Sequence, residues 1–146
     1  AEPEQPVSMV NRSEAEQFCR WLTDRERAQG LLEPDQEYRL PSDDEWKTLT
    51  TYLGGEEIAG GKMKSTNLWS SPNTGATNSS GFNALPAGYR ATLGWYMDKN
   101  DRATFWTSTS ANVIQSNIRV LLASNASLFT NYSYNYSGFS VRCIRD

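Results

Sequence analysis

Apolar residues along this chain recur with two different periods, and the change of period divides it into a helical front and a strand-rich rear. Ala15, Phe18, Cys19 and Leu22 follow an i, i+3, i+4, i+7 spacing. That predicts an amphipathic helix running to about Gln29 and stopping at Gly30. Ser13 and Glu16 stand at capping-box spacing in front of it, with Ser13 as the N-cap. Arg20, Asp24, Arg25 and Glu26 fall on the solvated side. A connector over 31–37 and a brief extended piece, Tyr38-Arg39-Leu40, lead to Pro41 and a second capping box, Ser42 to Glu45. Trp46, Leu49 and Leu53 share one face of the shorter helix this box opens, which ends at Gly54-Gly55. Pro6 to Val10 reads as an edge strand, and no third helix candidate follows the second. The fold class this predicts is α+β.

Behind the helices the chain changes character. Glu56 to Ser80 is rich in Gly, Ser, Thr and Asn around a single large anchor, Trp69, and reads as long ordered loop. Gly81 to Pro86, Gly88 to Arg90 and Leu93 to Tyr96 read as short strand pieces separated by turn residues, with a turn at Lys99-Asn100-Asp101. In the last third, Phe105-Trp106 and the alternating Phe139, Val141 and Cys143 look like buried strand. Ile118, Val120 and Leu122 alternate onto one face, which leaves Asn117, Arg119 and Leu121 pointing outward. Tyr132, Tyr134 and Tyr136 alternate with Ser133 and Asn135, so a strand here projects all three rings from one face. Tyr, Ser and Asn are the palette of antibody binding loops: rigid amphipathic rings beside small, adaptable hydrogen-bonding groups. An ordinary half-exposed hairpin whose tyrosines pack on neighbours has the same pattern.

Composition narrows the function classes. The 146 residues are enough for one domain with a real core. A net charge of −3 and scattered basic residues argue against nucleic acid as a partner, and no apolar run is long enough to insert in a membrane. There is no histidine, which removes the commonest general base and the commonest transition-metal ligand. Two cysteines, Cys19 and Cys143, are too few for a structural zinc site. No cofactor is expected, although a structural calcium held by loop oxygens stays open. The compartment stays open as well.

Two stretches carry a resemblance. PVSMVNRSEAEQFCRWL and EYRLPSDDEWKTL resemble the front of the formylglycine-generating-enzyme (sulfatase-modifying factor) domain, which has a C-type lectin-like fold. MKSTNLW, GFNALPAGYR, FWTSTS and GFSVRCIRD look like the Fibrobacter succinogenes major paralogous domain, a relative of that fold. The resemblance implies one domain over 1–146, with two helices near the N-terminus, small antiparallel sheets and long ordered loops. It also implies a disulfide between Cys19 and Cys143, the alternative being two buried free thiols. Enzymes of the formylglycine-generating family use a further reactive cysteine pair just before the last strand. The matching stretch here, FTNYSYNYS, has no cysteine, so the chain is not expected to be an enzyme. Calcium-dependent sugar lectins carry a Glu-Pro-Asn-type triplet in the long loop. Glu33-Pro34-Asp35 imitates it from the wrong place, and FWTSTS stands where their Trp-Asn-Asp motif would be.

The C-terminal third also resembles the variable proteins of diversity-generating retroelements. In these, adenine-directed mutagenesis of Asn codons yields a mixture without Lys, Glu, Gln, Trp or Met. Between Ala111 and Ser137 only Gln115 falls outside that mixture. The resemblance implies a receptor- or adhesin-like domain with a diversified surface at about 106–137. Its contact residues are expected at Asn112, Ile114, Asn117, Arg119, Leu121, Ala123, Asn125, Tyr132, Tyr134 and Tyr136, with Tyr132, Tyr134 and Tyr136 exposed and close to Arg119. Its partner is expected to be a protein or other macromolecule, and its setting a cell surface, secretion or a virion. A fixed adhesin or structural module of the same fold is the alternative.

Overall fold

Asn11, not Ser13, sets the start of the first helix. Its side chain accepts from the Glu14 backbone N–H at 2.9 Å, and the Glu14 carboxylate accepts from the Asn11 N–H at 2.8 Å. Both Asn11/Glu14 and Ser13/Glu16 have capping spacing, and Asn caps as well as Ser. The earlier start still turns Ala15, Cys19 and Thr23 inward. Helix α1 therefore spans Arg12–Ala28, and Gly30 follows its C-cap in the left-handed region at φ 69°, where glycine meets no steric penalty.

The computed structural model describes residues 7–146. Pro6, at the head of the expected edge strand, lies outside the described residues, and Val7 to Val10 form no regular strand. Val10 makes only an isolated bridge to Phe139. Strand β1 (Tyr38–Arg39) pairs antiparallel with β7 (Ile144–Arg145), joining the segment that follows α1 to the last strand. Helix α2 (Asp43–Tyr52) opens on the expected Ser42/Glu45 capping box. A third helix, α3 (Glu56–Met63), occupies the start of the segment expected to be loop. Its sequence hides it, because Gly60-Gly61 sits mid-helix and no apolar stripe is present. Those glycines are there for close backbone approach: a Cβ at Gly60 would strike the Ser127 carbonyl, and one at Gly61 the Gly75 carbonyl. Beyond it, residues 64–88 form the long loop, and β2 (Tyr89–Arg90) and β3 (Tyr96–Met97) make a small hairpin. The stretch Gly81 to Pro86 contributes only a bridge from Ala84 to Lys64.

The centre is an antiparallel meander of β4 (Arg102–Ser110), β5 (Gln115–Leu122) and β6 (Phe129–Tyr134), in that order. Register assigns its faces. Ala103 opposite Leu121 puts one face against Trp46, Leu53, Ala59, Met63 and Leu128 from the α2–α3 side. Trp106 opposite Ile118 and Thr104 opposite Val120 put the other against Ala15, Cys19, Leu40, Phe139 and Val141. The central parts of β4 and β5 are thus the middle layer, buried on both faces, while β6 stays exposed. Leu121 and Ala123, expected as outward contact residues, are core instead, at 0% and 5% exposure. Simple alternation marks only which face a residue takes, and here both faces are covered.

Cys19 of α1 and Cys143 just before β7 form a disulfide across 124 residues, with Cα atoms 6.1 Å apart. On the chain-entropy view closing a loop of that length stabilises by roughly 5 kcal/mol. Arg39 on β1 is held by Glu45 of α2 and by Asp146, at 2.6 and 2.7 Å. The hydrogen bonds from Arg39 pull the Glu45 carboxyl down to about 2.

Two outcomes follow from this packing. Trp106 is fully buried, meets Phe139 edge-on at 4.7 Å between centroids and donates its indole N–H to the Val10 carbonyl. Trp106→Ala should therefore lose about 3–5 kcal/mol in denaturant unfolding. Glu45, with a folded-state pKa below its unfolded value, stabilises fully above about pH 4.5 and loses that stabilisation as pH falls toward about 2. Glu45→Gln should cost about 1 kcal/mol at neutral pH, a difference that vanishes near pH 2 when unfolding is followed across that range.

Candidate ligand-binding surface

Strand β6 is bare along one edge. Among the described residues it pairs with β5 alone, whereas the far edge of β4 is covered by Ser140 and Gly88. Every β6 residue except Ser133 is exposed, and none is charged. Tyr132 lies opposite Asn117 and Tyr134 opposite Gln115, so both rings share the face of Asn117 and Arg119. Their exposures are 58% and 47%. Tyr136 is 66% exposed but lies beyond the end of β6, so it joins the surface from the following turn and not from the strand face. Asn135 beside it donates its N–H to the Ile114 carbonyl at 2.9 Å, which seats this turn against the β4–β5 hairpin.

That hairpin supplies the next part of the surface. Asn112 is exposed, but its side chain is spent on the turn: Nδ2 donates to Gln115 Oε1 at 2.6 Å and Oδ1 accepts from the Ile114 N–H at 3.0 Å. Asx geometry of this kind shapes a turn locally. Val113 at the tip and Ile114 carry the exposed apolar area. Val113 escaped the sequence reading, although a residue at the tip between two predicted strands has nowhere to be buried.

Arg119 and Asn117 behave differently from expectation. Arg119 is only 5% exposed, and its Nη1 donates to Asp43 Oδ1 at 2.9 Å. Asn117 Nδ2 donates to the other oxygen of the same carboxylate. Asp43 itself donates its backbone N–H to Thr109 Oγ1 at 3.0 Å. Asp43 at the head of α2 thus ties β5 to the helix through its carboxylate and β4 through its backbone N–H, and neither Arg119 nor Asn117 is a free contact group. Thr130 sits opposite Arg119, which leaves Tyr132 diagonal to it, about 7–8 Å away in an antiparallel pair. Beside this clamp a groove of about 490 Å³ runs between α2 and β6, lined by Asp44, Lys47, Thr50, Leu128 and Thr130.

Asn125 is exposed but belongs to the β5–β6 turn, at the end of β5 away from the 111–114 hairpin. An eight-residue strand separates the two turns by roughly 25 Å. Its Oδ1 accepts from the Ser127 N–H at 2.8 Å. The structure therefore gathers Asn112, Ile114, Tyr132, Tyr134 and Tyr136 at one end, leaves Asn125 at the other, and withdraws Leu121, Ala123, Arg119 and Asn117 into packing.

The β2–β3 hairpin adds residues the sequence reading missed as contacts. Leu93, Trp95 and Tyr96 are strongly exposed, Trp95 at 70%. Arg90 and Gly138 exchange backbone hydrogen bonds at 2.7 and 2.8 Å, and Thr92 Oγ1 lies 3.0 Å from Ser137 Oγ. The hairpin is thus fastened next to the Tyr136 turn. Two-residue strands with both faces open give no periodicity from which exposure can be read.

Both cysteines are taken up by the disulfide. Among the described residues no group of three or more His, Cys, Asp or Glu is placed to hold a metal ion, and no helix is long and apolar enough to cross a membrane. Comparison with curated proteins and with solved structures gives no match. Residues 18–145 match the family model described as the Fibrobacter succinogenes major domain, from the middle of α1 to the last strand, and the chain belongs to that family.

Proposed function

We propose that this chain is a non-enzymatic binding domain of C-type lectin-like fold. Its ligand surface is formed by β6, the 111–114 hairpin and the turn at Tyr136, with the β2–β3 hairpin at its border. The partner is a protein or other macromolecule; a surface with no cluster of basic side chains does not suit nucleic acid. We further propose that the surface is diversified in the manner of retroelement variable proteins.

One observation carries this reading: outside the 111–114 hairpin, which the Asn112 side chain helps to shape, the exposed turns are held to the framework mainly by their main chains. In the β5–β6 turn, Gly61 N–H donates to the Ala126 carbonyl at 2.8 Å, Thr74 N–H to the Ala123 carbonyl at 2.8 Å, and Leu128 N–H to the Glu56 carbonyl at 2.9 Å. At the other end the Asn135 carbonyl accepts from the Arg12 N–H at 3.0 Å. A framework that grips backbone is indifferent to which side chain stands at those positions. Side chains on such a surface exchange at little energetic penalty.

The buried Leu121, Ala123 and Arg119 favour a second reading, a fixed adhesin of the same fold, because they fall inside 106–137 and cannot vary freely. Sequencing the 3′ end of the gene from many cells of its source separates the two. Diversification predicts substitutions at codons 112–114 and 130–136, matched to adenines in a nearby template copy, with Leu121 and Ala123 unchanged. An invariant stretch with no template copy refutes diversification and leaves the fixed module. In either case Tyr132→Ala and Tyr134→Ala should each shift unfolding free energy by less than about 0.5 kcal/mol. Larger losses in denaturant melts would mean that the rings are structural and not displayed.

A further inference from the structure

Lys64 is fully buried, and among the described residues it has no carboxylate partner in an ion pair. Its ammonium donates to three backbone carbonyls: Leu122 at 2.8 Å, and Thr74 and Asn125 at 2.9 Å each. The Trp69 ring lies 5.3 Å away, close enough for a cation–π contact. An ammonium has three donors and here meets three acceptors. Three carbonyl dipoles turned toward one point repel each other unless a cation stands between them. A calcium ion in such a place takes six to eight oxygens, several of them carboxylate. Here no such set exists among the described residues, and the three oxygens are already engaged.

We propose that Lys64 is a tethered internal cation. It fastens the long 64–88 loop, through Thr74, to the end of β5 and the β5–β6 turn, through Leu122 and Asn125, in place of a bound metal. The grip acts on carbonyl oxygens only, so Asn125 can be exchanged without loosening it. Burial lowers the Lys64 pKa to about 8, which leaves the group protonated at neutral pH. The inference stands whether or not the surface is diversified.

The test is calorimetry on the whole chain, with amide exchange read at 122–128. Wild type should melt within about 1 °C of the same temperature in excess EDTA and in excess calcium. Lys64→Met, similar in length but uncharged, should melt at least about 5 °C lower, with faster exchange across the turn. Lys64→Gln, which keeps an amide donor but no charge, should fall by a similar amount. A wild-type melting temperature that drops in EDTA would show that a metal holds the loop and would overturn the proposal, regardless of how the variants fold. Full stability and unchanged exchange in either variant would overturn it as well.

Discussion

The structure depends on the two strands β4 and β5 being covered on both faces. Phe105 and Trp106 are neighbours in β4, so the pleat sends them to opposite sides. Phe105 joins Trp46, Met63 and Leu121, and Trp106 joins Cys19, Ile118 and Phe139. Each cluster is small, and a few strands bury it only with help from helices and connecting segments. The disulfide and the β1–β7 pair close the domain on the α1 side, where the first helix must be held against the last strand. On the other side α2 and α3 do the covering, and the Asp43 carboxylate, meeting both Arg119 and Asn117, fixes where α2 begins relative to β5.

Covering β4 and β5 leaves display to what remains: β6 and the turns. β6 is exposed because nothing among the described residues pairs beyond it, and the hairpins protrude because they are short. An open edge is ordinarily a hazard, since its free main-chain groups invite pairing with other chains. Here two of those groups are already engaged. The Tyr132 N–H is bonded to the Asn131 side chain, and the Tyr134 carbonyl accepts from the Ser137 N–H. Binding by side chains then has less competition from indiscriminate strand addition. The rigidity of the layer beneath matters to recognition, because a preformed surface loses less entropy on engaging a partner.

The sequence by itself determined the elements with strong local signals. Two capped helices, the α+β class, the buried strands around Phe105-Trp106 and the shared face of Tyr132 and Tyr134 all follow from spacing, capping chemistry and period-2 alternation. Even so, of two adjacent Asn/Ser-x-x-Glu boxes the reading took the second, and the first helix starts two residues earlier, at the Asn11 box. Tertiary structure decided what depends on partners far along the chain. Helix α3 exists because Gly60 and Gly61 let the 126–127 and 75 backbones approach, and no local propensity announces that. Leu121 and Ala123 are core because α2 and α3 cover a face that alternation alone assigns to solvent. Arg119 is a clamp and not a contact because Asp43, 76 residues away, arrives beside it. Lys64 is buried because three carbonyls from two distant segments meet at its ammonium. Period and capping are local physics and can be read along the chain; which face is covered, and which charge finds its partner, is settled only when distant segments meet.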